Sequence, residues 1–106
     1  HEALFYDKLC DLLFRPELNQ HYGFYKPLCP EGIYKDHPDY VPDGIIRDMY
    51  SGRKYAIEVF GRNEPDYLER KAIKIRTCNY KLFYWDVLHN PDPEPTLNQI
   101  RQALGI

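Results

Sequence analysis

The sequence predicts an α/β chain with the element order α-β-β-β-α-β-α, and three observations predict it. Two strand-like runs, 43–50 and 53–60, flank Ser51-Gly52 as a tight hairpin. A nearly all-apolar run, 80–87, follows a helical pattern and suits a strand buried on both faces. Amphipathic periodicity opens the chain, and Thr96 with Gln99 makes a capping box near its end.

Each element has its own justification. Leu4, Phe5, Leu9, Leu12 and Leu13 recur at three- and four-residue steps between Glu2, Asp7, Lys8 and Asp11, so the first helix is amphipathic, and Pro16 stops it. His1 and Glu2 stand at its edge, as in a domain cut from a longer protein. The aromatic stretch 21–26 alternates weakly and is read as the first strand, and a loop rich in Pro and Asp covers 27–42. In the hairpin, Tyr55, Ile57 and Val59 share one face, and Ala56, Glu58 and Phe60 the other. Gly61-Arg62-Asn63 breaks the strand, with Asn63 as the expected cap of a helix opening on Glu64-Pro65-Asp66. Leu68, Ala72, Ile73 and Ile75 form the expected buried side of that helix, leaving Tyr67, Arg70, Lys71 and Lys74 around a polar one. Three prolines stiffen 89–95, and the last helix, 97–104, ends at Gly105.

With 106 residues, the chain has room for one domain. No apolar run approaches the roughly 18 residues of a spanning helix, so no membrane is expected. The formal net charge of −2 speaks against a dedicated nucleic-acid binder, but its distribution is uneven. Residues 1–52 carry 5 Lys+Arg against 9 Asp+Glu, residues 53–81 carry 8 against 4, and residues 82–106 carry 1 against 3. An acidic first half beside a basic middle can set metal-binding carboxylates next to a phosphate-attracting surface; ordinary surface variation gives the same gradient. Cys10, Cys29 and Cys78 are an odd count at wide spacing, which predicts mostly buried free thiols and a reducing, cytoplasmic compartment. Ten tyrosines, five phenylalanines and one tryptophan supply core and some stacking surface.

The chemistry concentrates in the hairpin. A turn at Ser51-Gly52 sets Lys54 near Met49 and Glu58 near Ile45 or Gly44. Asp43 and Glu58 then lie within one or two residue steps of each other, about 3.3 Å per step. Two carboxylates that close suit Mg²⁺, a hard ion that takes oxygen ligands and keeps several waters. Glu58 is an acid in an otherwise apolar strand, costly unless paired or bound to a cation. Other readings stand beside these. Asp43 before Gly44 suits a turn, Glu2 suits a helix start, and Lys71 and Lys74 suit a solvated helix face. His21, His37 and His89 show no ligand spacing.

Pro42-Asp43-Gly44 on one strand, then Glu58-Val59-Phe60-Gly61 on the next, inside an α-β-β-β-α-β frame, resembles the PD-(D/E)xK nuclease superfamily. The resemblance runs from the first helix to the fourth strand. It implies the restriction-endonuclease-like fold, an α/β core with a four-stranded mixed sheet flanked by helices. It also implies a DNA phosphodiesterase using Mg²⁺ or Mn²⁺, with Asp43 and Glu58 as metal ligands and Glu2 sometimes completing the site. The family's lysine lies two positions after the second acid, where this chain has Phe60. The segment from Glu58 to Gly61, followed by Tyr67, Arg70 and Lys74, is similar to the E-x-x-G subgroup that brings its lysine from the following helix. Lys74 is then the first candidate and Lys71 the second. A catalytically inactive module of the same fold, binding DNA or a protein inside a larger parent protein, is the alternative. So small a domain leaves little surface for reading sequence, which points to targeting by a partner subunit, a dimer mate or a further domain.

Overall fold

The computed structural model describes residues 2–30 and 32–106; His1 and Glu31 lie outside the described residues. The elements run α1 (Glu2–Leu13), a 3₁₀ turn (Pro16–Leu18), β1 (Tyr22–Tyr25), β2 (Gly44–Asp48), β3 (Lys54–Phe60), α2 (Pro65–Thr77), β4 (Lys81–Asp86) and α3 (Glu94–Leu104). The strands form one mixed sheet in the order β1-β2-β3-β4, antiparallel through the first two pairs and parallel in the last. The parallel pair needs a crossover, and α2 supplies it.

Apolar side chains leave both faces of the sheet. On one face α1 and α3 bury Phe5, Leu9, Leu97 and Ile100 against Ile46, Ile57, Phe83 and Trp85. The aromatic and aliphatic alternation of β3 and β4 dictates this core, because successive side chains point to opposite faces. The other face holds a smaller cluster, in which Ile33 and Tyr34 of the long loop cover Ile45 and Ala56. That loop is tied to the end of α2 by Lys35 N–H donating to Thr77 O at 2.9 Å and Asn79 N–H to Ile33 O at 2.8 Å. Glu58 belongs to this second face.

Several expectations are corrected. The hairpin turn is longer than two residues: the Asp48 carboxylate accepts the Tyr50 and Ser51 N–H groups, and Gly52 takes a positive φ of 78°. An aspartate that bonds the backbone ahead of it competes with a tight turn. The register consequently moves to Arg47↔Lys54 and Gly44↔Ile57, so Lys54 is not opposite Met49. One step further on, Glu58 meets Asp43 itself.

The fourth strand is not buried on both faces. It is an edge strand whose Phe83 and Trp85 are buried while Tyr84 is 39% exposed. Nor does α2 bury its aliphatic side: Leu68, Ala72 and Ile75 are exposed, and Tyr67, Lys71, Ile73 and Lys74 are half-buried. The ammonium groups of Lys71 and Lys74 turn inward toward Asp86 and Glu58. A buried carboxylate without a counter-charge costs several kcal/mol, more than partial exposure of a few aliphatic groups.

Helix ends differ too. Glu64, not Asn63, occupies the N-cap of α2 and makes no side-chain capping bond. Thr96 lies inside α3, with its hydroxyl donating to Tyr84 O at 3.0 Å, so it ties the helix to the sheet instead of capping it. Gly105 does close α3 in the left-handed region at φ 71°. In α1, Tyr6 is buried and Leu4 is half exposed. The cysteines are free; Cys29 is exposed, and Cys10 and Cys78 are half-buried. Among the described residues no helix is long and apolar enough to cross a membrane.

Candidate active site

Asp43 stands where the chain enters β2, and Glu58 is the fifth residue of β3. The two strands lock them together through reciprocal bonds. The Asp43 N–H donates to Glu58 Oε1 at 2.9 Å, and the Val59 N–H donates to Asp43 Oδ2 at 2.7 Å. Gly44 is required by packing: a Cβ there would lie 2.6 Å from Cε2 of Phe24. The Asp-Gly pair thus lets the β1 ring press against β2 directly beside the acid.

Lys74 closes the arrangement from α2. Its Nζ donates to Glu58 Oε2 at 2.9 Å and to the Val41 carbonyl at 3.1 Å. Glu58 is 1% exposed. Burial, and after it the charge of Asp43, push its pKa from 4.5 up to about 7, against the opposing pull of Lys74. Burial also raises Asp43, helped by the charge of Glu2 and resisted by the Val59 N–H and Lys74. The Tyr34 and Tyr6 hydroxyls are buried without a hydrogen-bond partner among the described residues. Both are pushed up first by burial, then by the charge of Glu58 for Tyr34 and of Asp43 for Tyr6. Burial is the first cause of all four shifts, so the centre favours the protonated forms of its acids and phenols.

A cleft of about 100 Å³ opens over the pair. Phe60 forms part of its wall, edge-on to Tyr67 at 6.3 Å and tilted against Tyr84 at 5.7 Å. The cations of the cleft rest on rings: Lys71 lies 5.3 Å from the Phe60 centroid, Arg70 5.8 Å from Tyr40 and Lys74 5.6 Å from Tyr34.

The sequence-derived residues divide accordingly. Asp43, Glu58 and Lys74 come together. Lys71 lines the same cleft but is bonded to Asp86, whose carboxyl stays below its ordinary range because Lys71 and His89 outweigh the burial that would raise it. Glu2 pairs with Lys26 at 3.5 Å and is half exposed, close enough for its charge to act on Asp43. Sequence reading missed Asp86, Tyr34, Tyr40 and Val41. The parallel register Phe60↔Asp86 brings Asp86 in, and no local motif announces it.

The two acids are hard oxygen donors of the kind a small divalent cation takes. Asp43 Oδ1 carries no hydrogen bond among the described residues, while both Glu58 oxygens already accept one. Mg²⁺ is commonly held by one or two carboxylates with water completing its shell. No group of three His, Cys, Asp or Glu side chains that could hold a metal occurs among the described residues. Comparison of the chain with family models, curated proteins and solved structures finds no match.

Proposed function

We propose that this chain is a divalent-metal-dependent nuclease domain of the restriction-endonuclease-like class that hydrolyses DNA phosphodiester bonds. The observation that carries the reading is the Lys74–Glu58 contact at 2.9 Å beside Asp43. An acid–acid–ammonium set assembles from two strands and a helix, although Phe60 stands where the family has its lysine. Asp43 and Glu58 would hold Mg²⁺ or Mn²⁺, Asp43 through its unbonded oxygen. When bound, such an ion stabilises charge on the phosphate and lowers the pKa of its water. Lys74, anchored by Val41 O, holds a positive charge where negative charge builds in the transition state. Arg70 and Lys71 on the cleft wall add attraction for the substrate phosphate.

The test is cleavage of plasmid and linear DNA with Mg²⁺ or Mn²⁺. Asp43→Ala, Glu58→Ala and Lys74→Ala should each lower the rate at least about 100-fold, in line with loss of one electrostatic group. Equal rates in wild type and all three variants would remove these residues from the chemistry.

One observation favours a second reading, a non-catalytic module of the same fold that binds DNA or a protein. Phe60 is 3% exposed and packed among Tyr67 and Tyr84, so the customary lysine position is built as core. Titration with Mn²⁺ separates the two, since a purely binding module has no metal affinity that depends on Asp43 and Glu58.

A further inference from the structure

The end of the sheet away from Asp43 and Glu58 gathers cations, with Asp48 beside them and paired to His21. There Lys54 pairs with Arg47 across β2 and β3, and Lys81 pairs with Tyr55 across β3 and β4. A groove of about 400 Å³ opens at these strand starts, lined by Gly52, Arg53, Lys54, Asn79, Tyr80 and Lys81. It holds three cations and no carboxylate. An adjoining hollow of about 350 Å³ continues past Lys81 to the amides of Gln99 and Gln102.

Two of the cations are held in an unusual way. Arg53 lies 5.1 Å from the Tyr55 ring centroid and Lys81 5.7 Å from that of Phe83, and those two rings stack on each other at 5.9 Å. Both cations are exposed, and neither has a carboxylate partner among the described residues. By contrast Lys8, Lys26, Arg62 and Arg101 all sit within 4.0 Å of an acid. The stacked rings thus carry two exposed like charges into one groove, where an anion has no carboxylate of the lining to compete with.

We propose that this groove is a second nucleic-acid contact, binding backbone phosphates away from the point of cleavage; the placement relative to cleavage rests on the nuclease reading above. The three cations line one groove, so a single run of backbone phosphates can meet them together. Lys54 to Glu58 is four residue steps along β3, about 13 Å. That equals about four base pairs of duplex rise at roughly 3.4 Å each; Arg53 and Lys81 rest on rings of the face opposite Glu58, so a substrate reaching them must also pass round the end of the sheet.

The experiment measures binding of a 30-base-pair duplex in EDTA by fluorescence anisotropy between 50 and 200 mM NaCl. Arg53→Gln with Lys81→Gln should bind about tenfold more weakly, and its slope of log affinity against log salt should shrink by about 2. Lys8→Gln with Arg101→Gln, an equal change of net charge at two cations that pair with Glu94 and do not line the groove, should bind like wild type. Equal affinity and slope in the two double variants overturns the proposal. Competition by polyglutamate as strong as by DNA overturns it in favour of an acidic protein partner. Cleavage of bis(p-nitrophenyl) phosphate, too short to span from the carboxylates to the groove, should be unchanged in Arg53→Gln with Lys81→Gln, and its loss there would also overturn the proposal. If even wild type cleaves nothing, the nuclease reading fails while the binding comparison still decides the groove.

Discussion

Lys74 Nζ lies 2.9 Å from Glu58 Oε2, across sixteen residues of chain, and this contact turns α2 around. The helix presents its lysines to the sheet and its aliphatic side to solvent. At pH 8 Glu58 is mostly ionised, and Lys74→Ala removes its counter-charge, so the buried acid takes up a proton. Urea unfolding should show a loss of about 1.5 kcal/mol, close to the cost of protonating it one pH unit above its value of about 7. Lys74→Met combined with Glu58→Gln should recover most of that stability and none of the cleavage. Additive losses in the double variant would mean that the pair is not energetically coupled.

Glu58 also sets a pH dependence. Its folded pKa of about 7 lies above the ordinary 4.5, so the folded state holds a proton that the unfolded chain has released. Stability should be greatest below about pH 4.5 for this group and decline as pH rises through about 7, by about 3 kcal/mol in all. Asp48 and Asp86 have lowered values, so their contributions disappear only as pH falls below the ordinary carboxylate range and do not overlap this window. Chemical denaturation of Glu58→Gln between pH 5 and 8 should give a flatter profile than wild type; an unchanged slope would assign the effect elsewhere.

A divalent cation that binds the ionised pair stabilises only the folded chain. Millimolar MnCl₂ should therefore raise the melting temperature at pH 8 more than at pH 5.5, with the shift growing with concentration. Asp43→Asn and Glu58→Gln should each abolish it. An equal shift in wild type and both variants would point to binding at another place.

Gly44→Ala would drive a Cβ to 2.6 Å from the Phe24 ring. A cost of about 2 kcal/mol is expected from this overpacking, read as a lower urea midpoint. Phe24→Leu in the same chain should recover part of it. Absence of any loss would mean that β1 shifts freely against β2.

The exposed side of α2 makes the opposite prediction. Leu68→Gln and Ile75→Gln, at 40% and 39% exposure, should change unfolding stability by about 0.5 kcal/mol or less. Leu9→Ala, at 0% exposure in the main core, should cost about 3 kcal/mol. Comparable losses at all three positions would contradict the orientation of the helix.

The element order and the closeness of Asp43 to Glu58 are legible in the chain without its fold. Local periodicity, prolines and the short separation within a hairpin specify these with little help from distant residues. Lys74 was marked only through the resemblance to the E-x-x-G subgroup; by residue type alone it suits a solvated helix face. Tertiary structure decided the rest. The Asx turn at Asp48 shifted the register by a few residues, which no two-residue turn signal contains. Parallel pairing of β3 with β4 brought in Asp86 and withdrew Lys71 from the carboxylate pair. The facing of α2 was settled by charge: its aliphatic pattern points one way, and the buried Glu58 with the half-buried Asp86, invisible to a helix read alone, pull its lysines the other. Hydrophobic periodicity ranks faces by transfer energy, and it fails where an uncompensated buried charge costs more than the apolar area left exposed.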